Sequence, residues 1–338
     1  MLTDNEIVTI ARTEVERALG YDSDELATTR ENALDYYHGR MASAPEGRSQ
    51  IVSHDVADVV HATLSQVSRQ FQTSTVVFEP NGPDDEDQAQ MESDMVRYQI
   101  ERNNGYKILN SAAHEALLSG NGWIKCQVEE EVDVSNETYP ELDPLQLQVV
   151  SQPTAEDQVV SVRETKDGFA VRRETTERKL VIEAIQADVM VYSTETGVDD
   201  ISKLRMVGER VMLKDSELKA LGVSDMDMAA IPLMNDDYWP AVEAREGQYQ
   251  DYTDTEPVQN ANRRRECFDV YIRLDMEDNG TTELWRILYG GTTLITKEPA
   301  ECIPYATGSP VPLPLRVQGT GMYQLFKQVQ DAKTHTLR

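Results

Sequence analysis

The chain has 338 residues, 39% hydrophobic and 27% charged, which is enough to bury a substantial core in two domains or in one large one with an excursion. Its 60 acidic and 32 basic side chains leave a net charge of −28, which excludes a surface built to grip phosphates by counterion release and confines any nucleic-acid contact to a loose one or a small basic patch. No apolar run approaches the roughly 18 residues of a membrane span, and Cys126, Cys267 and Cys302, widely spaced and without a CxxC, support neither a disulfide framework nor a thiolate zinc site and fit a reducing cytosol.

Residues 3–19 read as an amphipathic helix through Ile7, Ile10, Ala11, Val15 and Ala18, with no basic leader or cleavage site, so export through a signal pathway is not expected. A second helix runs from a Ser23 cap to a Gly39 stop, 42–48 is a loop, and Val56, Val59, Val60, Leu64 and Val67 space a third helix that ends before the β-rich stretch 74–78. A turn at 80–83 leads to a helix opened by the acids 84–87 and reaching Arg102, and another helix spans 106–119. Strands are then expected at 123–134, 145–150, 158–165, 168–173 and 178–185, with a hairpin turn at 166–168, so the middle of the chain is mostly antiparallel sheet.

Two short helices are expected at 202–204 and 216–222. Between Asn235 and Glu256 the composition shifts to seven acids against one base, with four aromatics. This is the pattern of a solvated linker anchored by its rings, or alternatively of an adhesive segment for a basic partner. Strands 267–274 and 283–289 form a hairpin about a turn at 275–281, a strand at 292–296 follows, and Pro310, Pro312 and Pro314 hold an extended path into a final helix, 319–338. On that helix Met322, Leu325, Phe326, Val329 and Leu337 share one face, and Lys327, Asp331, Thr334 and Arg338 another. Such a stripe needs a partner surface. The fold class read from these elements is α+β.

Chemistry-bearing patterns are sparse. Residues 275–280 imitate the start of a calcium loop, but the twelfth place is Arg286 and the flanks are strands, so Asn279-Gly280 reads as a β-turn. His54, Asp58 and His61 stand at i, i+4 and i+7, a face able to hold a divalent metal but more simply a solvated helix face. There is no nucleophile elbow, zinc-protease helix or phosphate loop, so no catalytic residue, cofactor or metal is expected. Arg263, Arg264 and Arg265 form the densest basic cluster, suited to phosphate, to an acidic partner or to the chain's own acids.

Taken in order, several stretches resemble the portal proteins of short-tailed, double-stranded-DNA phages. Residues 32–39 followed by 52–60 resemble the family's early "YY-G … S-DV-D-V" helices; 77–80 with 85–89 its "EP … D---A" junction; and 116–125 its "LL--G--K" step from helix to strand. Residues 268–280 resemble its "Y---D-DG" hairpin, and 312–322 with 330–338 its "P----GTG" and "Q--KT---R". Each motif alone is weak, whereas the ordered set is specific.

The resemblance implies a wing over 1–255, a first stem segment at 256–266, a clip hairpin over 267–318 and the beginning of a second stem helix at 319–338. The family's longer helix, channel loop and crown have no counterpart in these 338 residues. It implies a homo-oligomeric, dodecameric ring at one capsid vertex of the virion, assembled in the host cytoplasm among capsid and scaffold proteins. Double-stranded DNA would thread it without sequence readout, and the terminase motor and then a tail adaptor would dock on the clip; no membrane is involved. On this reading Met322, Leu325, Phe326 and Val329 face a neighbouring subunit, and Lys327, Thr334 and Arg338 face the DNA channel. Asp275, Glu277, Asp278, Arg263, Arg264 and Arg265 would meet the docking partners. An acidic DNA-mimic that occupies a basic partner is the alternative from another class, and a metal-dependent enzyme on His54, Asp58 and His61 a third.

Overall fold

The computed structural model describes residues 2–21, 26–73, 77–80, 82, 85–140, 143–153, 157–165, 168–195, 197–233, 264–277 and 279–338. The Ser23 cap, Asp84 of the acids at 84–87, the turn at 166–167, the acidic segment 235–256 and the first stem segment up to Arg263 thus lie outside the described residues.

Five helices come first: α1 (Asp4–Tyr21), α2 (Ala27–His38), α3 (Asp55–Thr73), α4 (Glu86–Arg102) and α5 (Gly105–Ser119). Helix α1 opens on a reciprocal cap in which Glu6 N–H reaches the Thr3 hydroxyl at 3.4 Å and Thr3 N–H reaches the Glu6 carboxylate at 2.8 Å. Helix α2 ends on Gly39 at φ +69°, as its stop signal requires, and the His54 ring lies close enough that no Cβ would fit there.

Two sheets follow. The first has the order β2-β3-β1-β9, from β1 (Gly122–Tyr139), β2 (Asp157–Thr165), β3 (Gly168–Ile185) and β9 (Tyr305–Gly308). The second has the order β4-β5-β6-β7-β8, from β4 (Met190–Tyr192), β5 (Met206–Lys214), β6 (Arg264–Leu274), β7 (Glu283–Gly290) and β8 (Thr293–Pro299). A small pair, β10 (Val311–Pro312) and β11 (Gly319–Thr320), leads into α9 (Met322–Leu337). Three short helices, α6 (Pro144–Val150), α7 (Asp215–Ala220) and α8 (Asp225–Ala230), fill connections.

Several expected elements change. The strand expected at 145–150 is α6: Pro144 at the first helical position suits a helix start, and the Gln146 side chain reaches back to Asp143 N–H at 3.1 Å. The strands expected at 168–173 and 178–185 are one 18-residue strand, β3, because β1 runs on to Tyr139 and pairs with it throughout. Strand β5 was not expected at all. Arg264 and Arg265 begin β6, so the last residues assigned to the first stem segment are extended rather than helical.

The core is layered. Ile7, Ala11, Val15 and Ala18 of α1 pack on one face of the second sheet, against Val191, Met206, Val270, Ile272, Ile287 and Tyr289. The other face of that sheet meets the base of the first through Trp123, Tyr192, Tyr271 and Tyr305. A third cluster joins α2, α3, α5 and α9 through Leu34, Val56, Val60, Leu117, Leu118 and Tyr323. Burying each of the larger aliphatic side chains is worth about 1.5–3 kcal/mol, and the clusters together hold the layers. The hairpin β6–β7 expected as a clip is, in its strands, the middle of the second sheet, with β5 on one side and β8 on the other.

Beyond Lys125, where β9 stops pairing, β1 continues with β3 and β2 as a three-stranded ribbon outside all of these clusters.

Candidate functional site

Helix α9 is amphipathic, yet it is turned the other way from a simple oily-face-inward rule. Its inward row is Tyr323, Phe326, Gln330 and Thr334, of which Gln330 is wholly buried. The Gln330 oxygen accepts the Val56 N–H at 3.0 Å, satisfying an amide that the first turn of α3 leaves without an intrahelical partner. Its amide nitrogen donates to Tyr36 O at 3.0 Å, near the end of α2. Ser53 N–H donates to the Thr334 hydroxyl at 3.1 Å, Tyr36 OH donates to Asp331 at 2.7 Å, and Lys333 pairs with Asp55. That pairing and the Ser53 hydroxyl hold the Asp55 carboxyl below the usual carboxylate range, while burial and then the Asp331 contact push the Tyr36 phenol well up.

The expectation of one exposed polar edge is therefore corrected. Thr334 is buried against the α2–α3 corner, Arg338 donates to the carbonyls of Ala42 and Ile51, and Lys327 lies over the rings of Tyr323 and Tyr36 at 5.5 and 5.9 Å. The α2–α3 corner exposes its own helix ends, and polar side chains on α9 are what those ends need. The apolar set divides accordingly. Met322 and Phe326 pack within the chain, whereas Leu325, Val329 and Leu337 stay about half exposed.

Two of the glycine motifs meet at the entry to α9. A Cβ at Gly120 would come within 2.6 Å of Gly319 O, and one at Gly319 would overlap the Ser309 hydroxyl, so the two backbones cross where only glycine fits. Buried Asn121 ties the crossing, accepting Gly319 N–H at 2.7 Å and donating to Val317 O at 2.8 Å.

The hairpin tip is charged and self-bonded. Asp275 accepts the N–H groups of Asn279 at 3.1 Å and Gly280 at 2.6 Å; Glu277 is exposed, and Asp278 lies outside the described residues. The arginine cluster does not stay together. Arg264 is exposed and Arg263 is undescribed, but Arg265 is buried, donating to Asp215 at 2.6 Å and Ile231 O at 2.9 Å. Its place as a partner contact is corrected, since its guanidinium ties β6 to α7 and α8.

Between the sheets lies a buried ionic cluster that the sequence reading did not find. Lys125 pairs with Glu209 and lies 4.0 Å from Asp269, which also receives Arg286 at 2.8 and 3.0 Å. Burial pushes the Glu209 carboxyl up against the opposing pull of Lys125. Strand alternation within β5 and β6, once those strands are known, is the only signal that would have grouped these residues. His61 turns to Tyr37 OH at 3.1 Å rather than to His54 or Asp58, and Tyr37 also meets His114 at 3.2 Å. Among the described residues no three His, Cys, Asp or Glu side chains converge to hold a metal.

Residues 7–338 match the family model described as phage SU10 portal protein. The chain belongs to that portal family. A portal protein is a capsid component of a bacteriophage virion, and this role displaces the acidic-mimic and metal-enzyme alternatives. No curated protein matches the chain. The portal fold here is α+β with antiparallel sheets, and no helix among the described residues is long and apolar enough to cross a membrane.

Proposed function

We propose that the chain assembles as a closed ring at a single capsid vertex, the conduit through which double-stranded DNA is packaged and later ejected. Family membership over 7–338 is the observation that carries this reading. The outward stripe of α9 supports it: Leu325 and Val329 are exposed apolar groups on a helix whose opposite side is already bound to its own chain, and a neighbouring subunit would cover them. Net charge supports it too, since a strongly acidic wall repels DNA enough for it to slide. Lys327, the exposed cation left from the polar edge, would touch phosphate transiently and without register.

The terminase motor and the tail adaptor would dock in turn on the hairpin tip, where Asp275 and Glu277 contribute more to encounter rate and partner choice than to affinity. The test is direct imaging of the purified protein down its axis, beside a Leu325→Asp, Val329→Asp variant. Rings from the parent chain and free subunits from the folded variant are expected. A parent chain that stays monomeric at all concentrations would sink the reading.

A further inference from the structure

Besides the outward stripe of α9, two apolar surfaces among the described residues are left uncovered by the chain itself, and they belong to different elements. On α4, Met91, Met95 and Tyr98 are 71%, 64% and 59% exposed, on the side away from buried Ala89 and Ser93. Their i, i+4, i+7 spacing makes one stripe. Beside it run Asp87, Asp94 and Glu101 at intervals of seven, an acidic row about 21 Å long at 1.5 Å per residue.

The second surface is one face of the β1–β3 ribbon. Val128, Val132 and Val134 point to the same side, exposed, over about 20 Å of strand. Register places Arg178 opposite Glu130 and Arg172 opposite Asn136, so both arginines share that side, again about 20 Å apart. The reverse side is occupied near the tip, where Val171 is buried and Arg173 donates to Val150 O of α6 at 2.9 Å. The open side has no such cover among the described residues.

We propose that α4 of one copy lies along this open face of the ribbon of the next copy, its methionines and Tyr98 on the valines and its acidic row facing Arg172 and Arg178. The proposal rests on the ring reading above and names an interface for it. Three observations choose a second copy as the occupant. The acidic and basic rows match in length. They are opposite in sign, in a chain whose charge of −28 otherwise drives copies apart. The two surfaces also differ, so the contact is head-to-tail, the kind that closes a ring. The present partners of the arginines, Glu130 and Glu174, form solvent-exposed pairs of little worth, so re-pairing across an interface costs little.

The test uses the full chain with Cys126→Ser and Cys302→Ser, into which Met95→Cys and Val132→Cys are introduced together and singly. Glutathione disulfide is the oxidant; each cross-link joins two thiols and releases two glutathione thiols. A ladder of covalent multimers from the double variant, with none from either single variant, is expected. Rings visible by microscopy without a ladder would overturn this pairing and leave the ring standing. Absence of rings in the uncrosslinked parent would instead overturn both.

A second arm reverses charge. Arg178→Glu should raise the concentration needed for rings by at least about tenfold, and Glu101→Arg in the same chain should restore it. Failure of that rescue counts against the pairing. Intact rings from Val132→Asp that no longer enter capsids would assign the face to a capsid protein and overturn the proposal.

Discussion

Replacing Gln330 by leucine tests whether α9 is held by polar contacts rather than by its apolar face. The side chain is wholly buried, with one hydrogen bond to each of two other helices. Leucine fills nearly the same volume, so the cavity contribution is small. Val56 N–H then has no partner, at a cost of about 1–3 kcal/mol. Tyr36 O keeps the Gly39 N–H at 3.2 Å, so its loss adds less than about 1 kcal/mol. Burying leucine in place of an amide returns part of this, and a net destabilisation of about 1–3 kcal/mol is expected. Urea unfolding monitored by circular dichroism gives the total, and hydrogen exchange at the Val56 amide locates it. Gln328→Leu, on the exposed side of the same helix, should change stability by no more than about 0.5 kcal/mol. Equal stabilities for the two variants, or unchanged exchange at Val56, would refute the argument that the polar side chains anchor this helix.

Lys125→Met should cost about 3–5 kcal/mol, because it leaves Glu209 and Asp269 buried without the lysine, and adding Glu209→Gln should recover part of the loss; a change under about 1 kcal/mol in thermal unfolding would contradict this. The Asp55 carboxyl titrates below its ordinary value when folded, so the stability it contributes is complete above about pH 4 and is lost as pH falls through the lower folded value. Lys333→Met should therefore flatten the acid side of the stability profile, and superimposable acid profiles would rule this out. Of the three thiols, exposed Cys126 and Cys302 should react with a maleimide, while Cys267, buried and pushed up to about 12, should label only on unfolding; three fast labels in the native protein would show that β6 is not packed as described.

Helices α1, α3, α5 and α9 were legible because their apolar residues recur at helical spacing, and the hairpin β6–β7 because strand patterns flank an Asn-Gly turn. The ordered motifs carried the family, which no single residue pattern did. Strand β5 was missed because Glu209, Arg210 and Lys214 break the alternation, and the ionic cluster and the Glu266 pairing of Arg210 explain the first two. Residues 145–150 misled because leucine and glutamine alternate at the period of a strand and valine favours one, while the proline and the cap before them decide for a helix. The orientation of α9 could not be read locally at all. Its stripe is real, but the partner of its polar side is the α2–α3 corner, almost 280 residues earlier in the chain.

The ionic cluster between the sheets bears on how accurately a subunit holds its shape. Apolar layers resist sliding only through the fit of their side chains, and a buried ion pair adds a stricter, point-to-point demand. Lys125 on one sheet, and Glu209 and Asp269 on the other, act as a tooth and its notch: a shift of one residue along β1 would withdraw the ammonium, strand Glu209 in an aromatic layer and leave Asp269 to Arg286 alone. For a lone protein such a slip would be a local defect. In a closed ring each small angular error is repeated at every joint, and the last subunit no longer meets the first. A charged notch in the middle of each subunit is therefore a device for manufacturing tolerance, and its removal should show first as a spread of ring sizes.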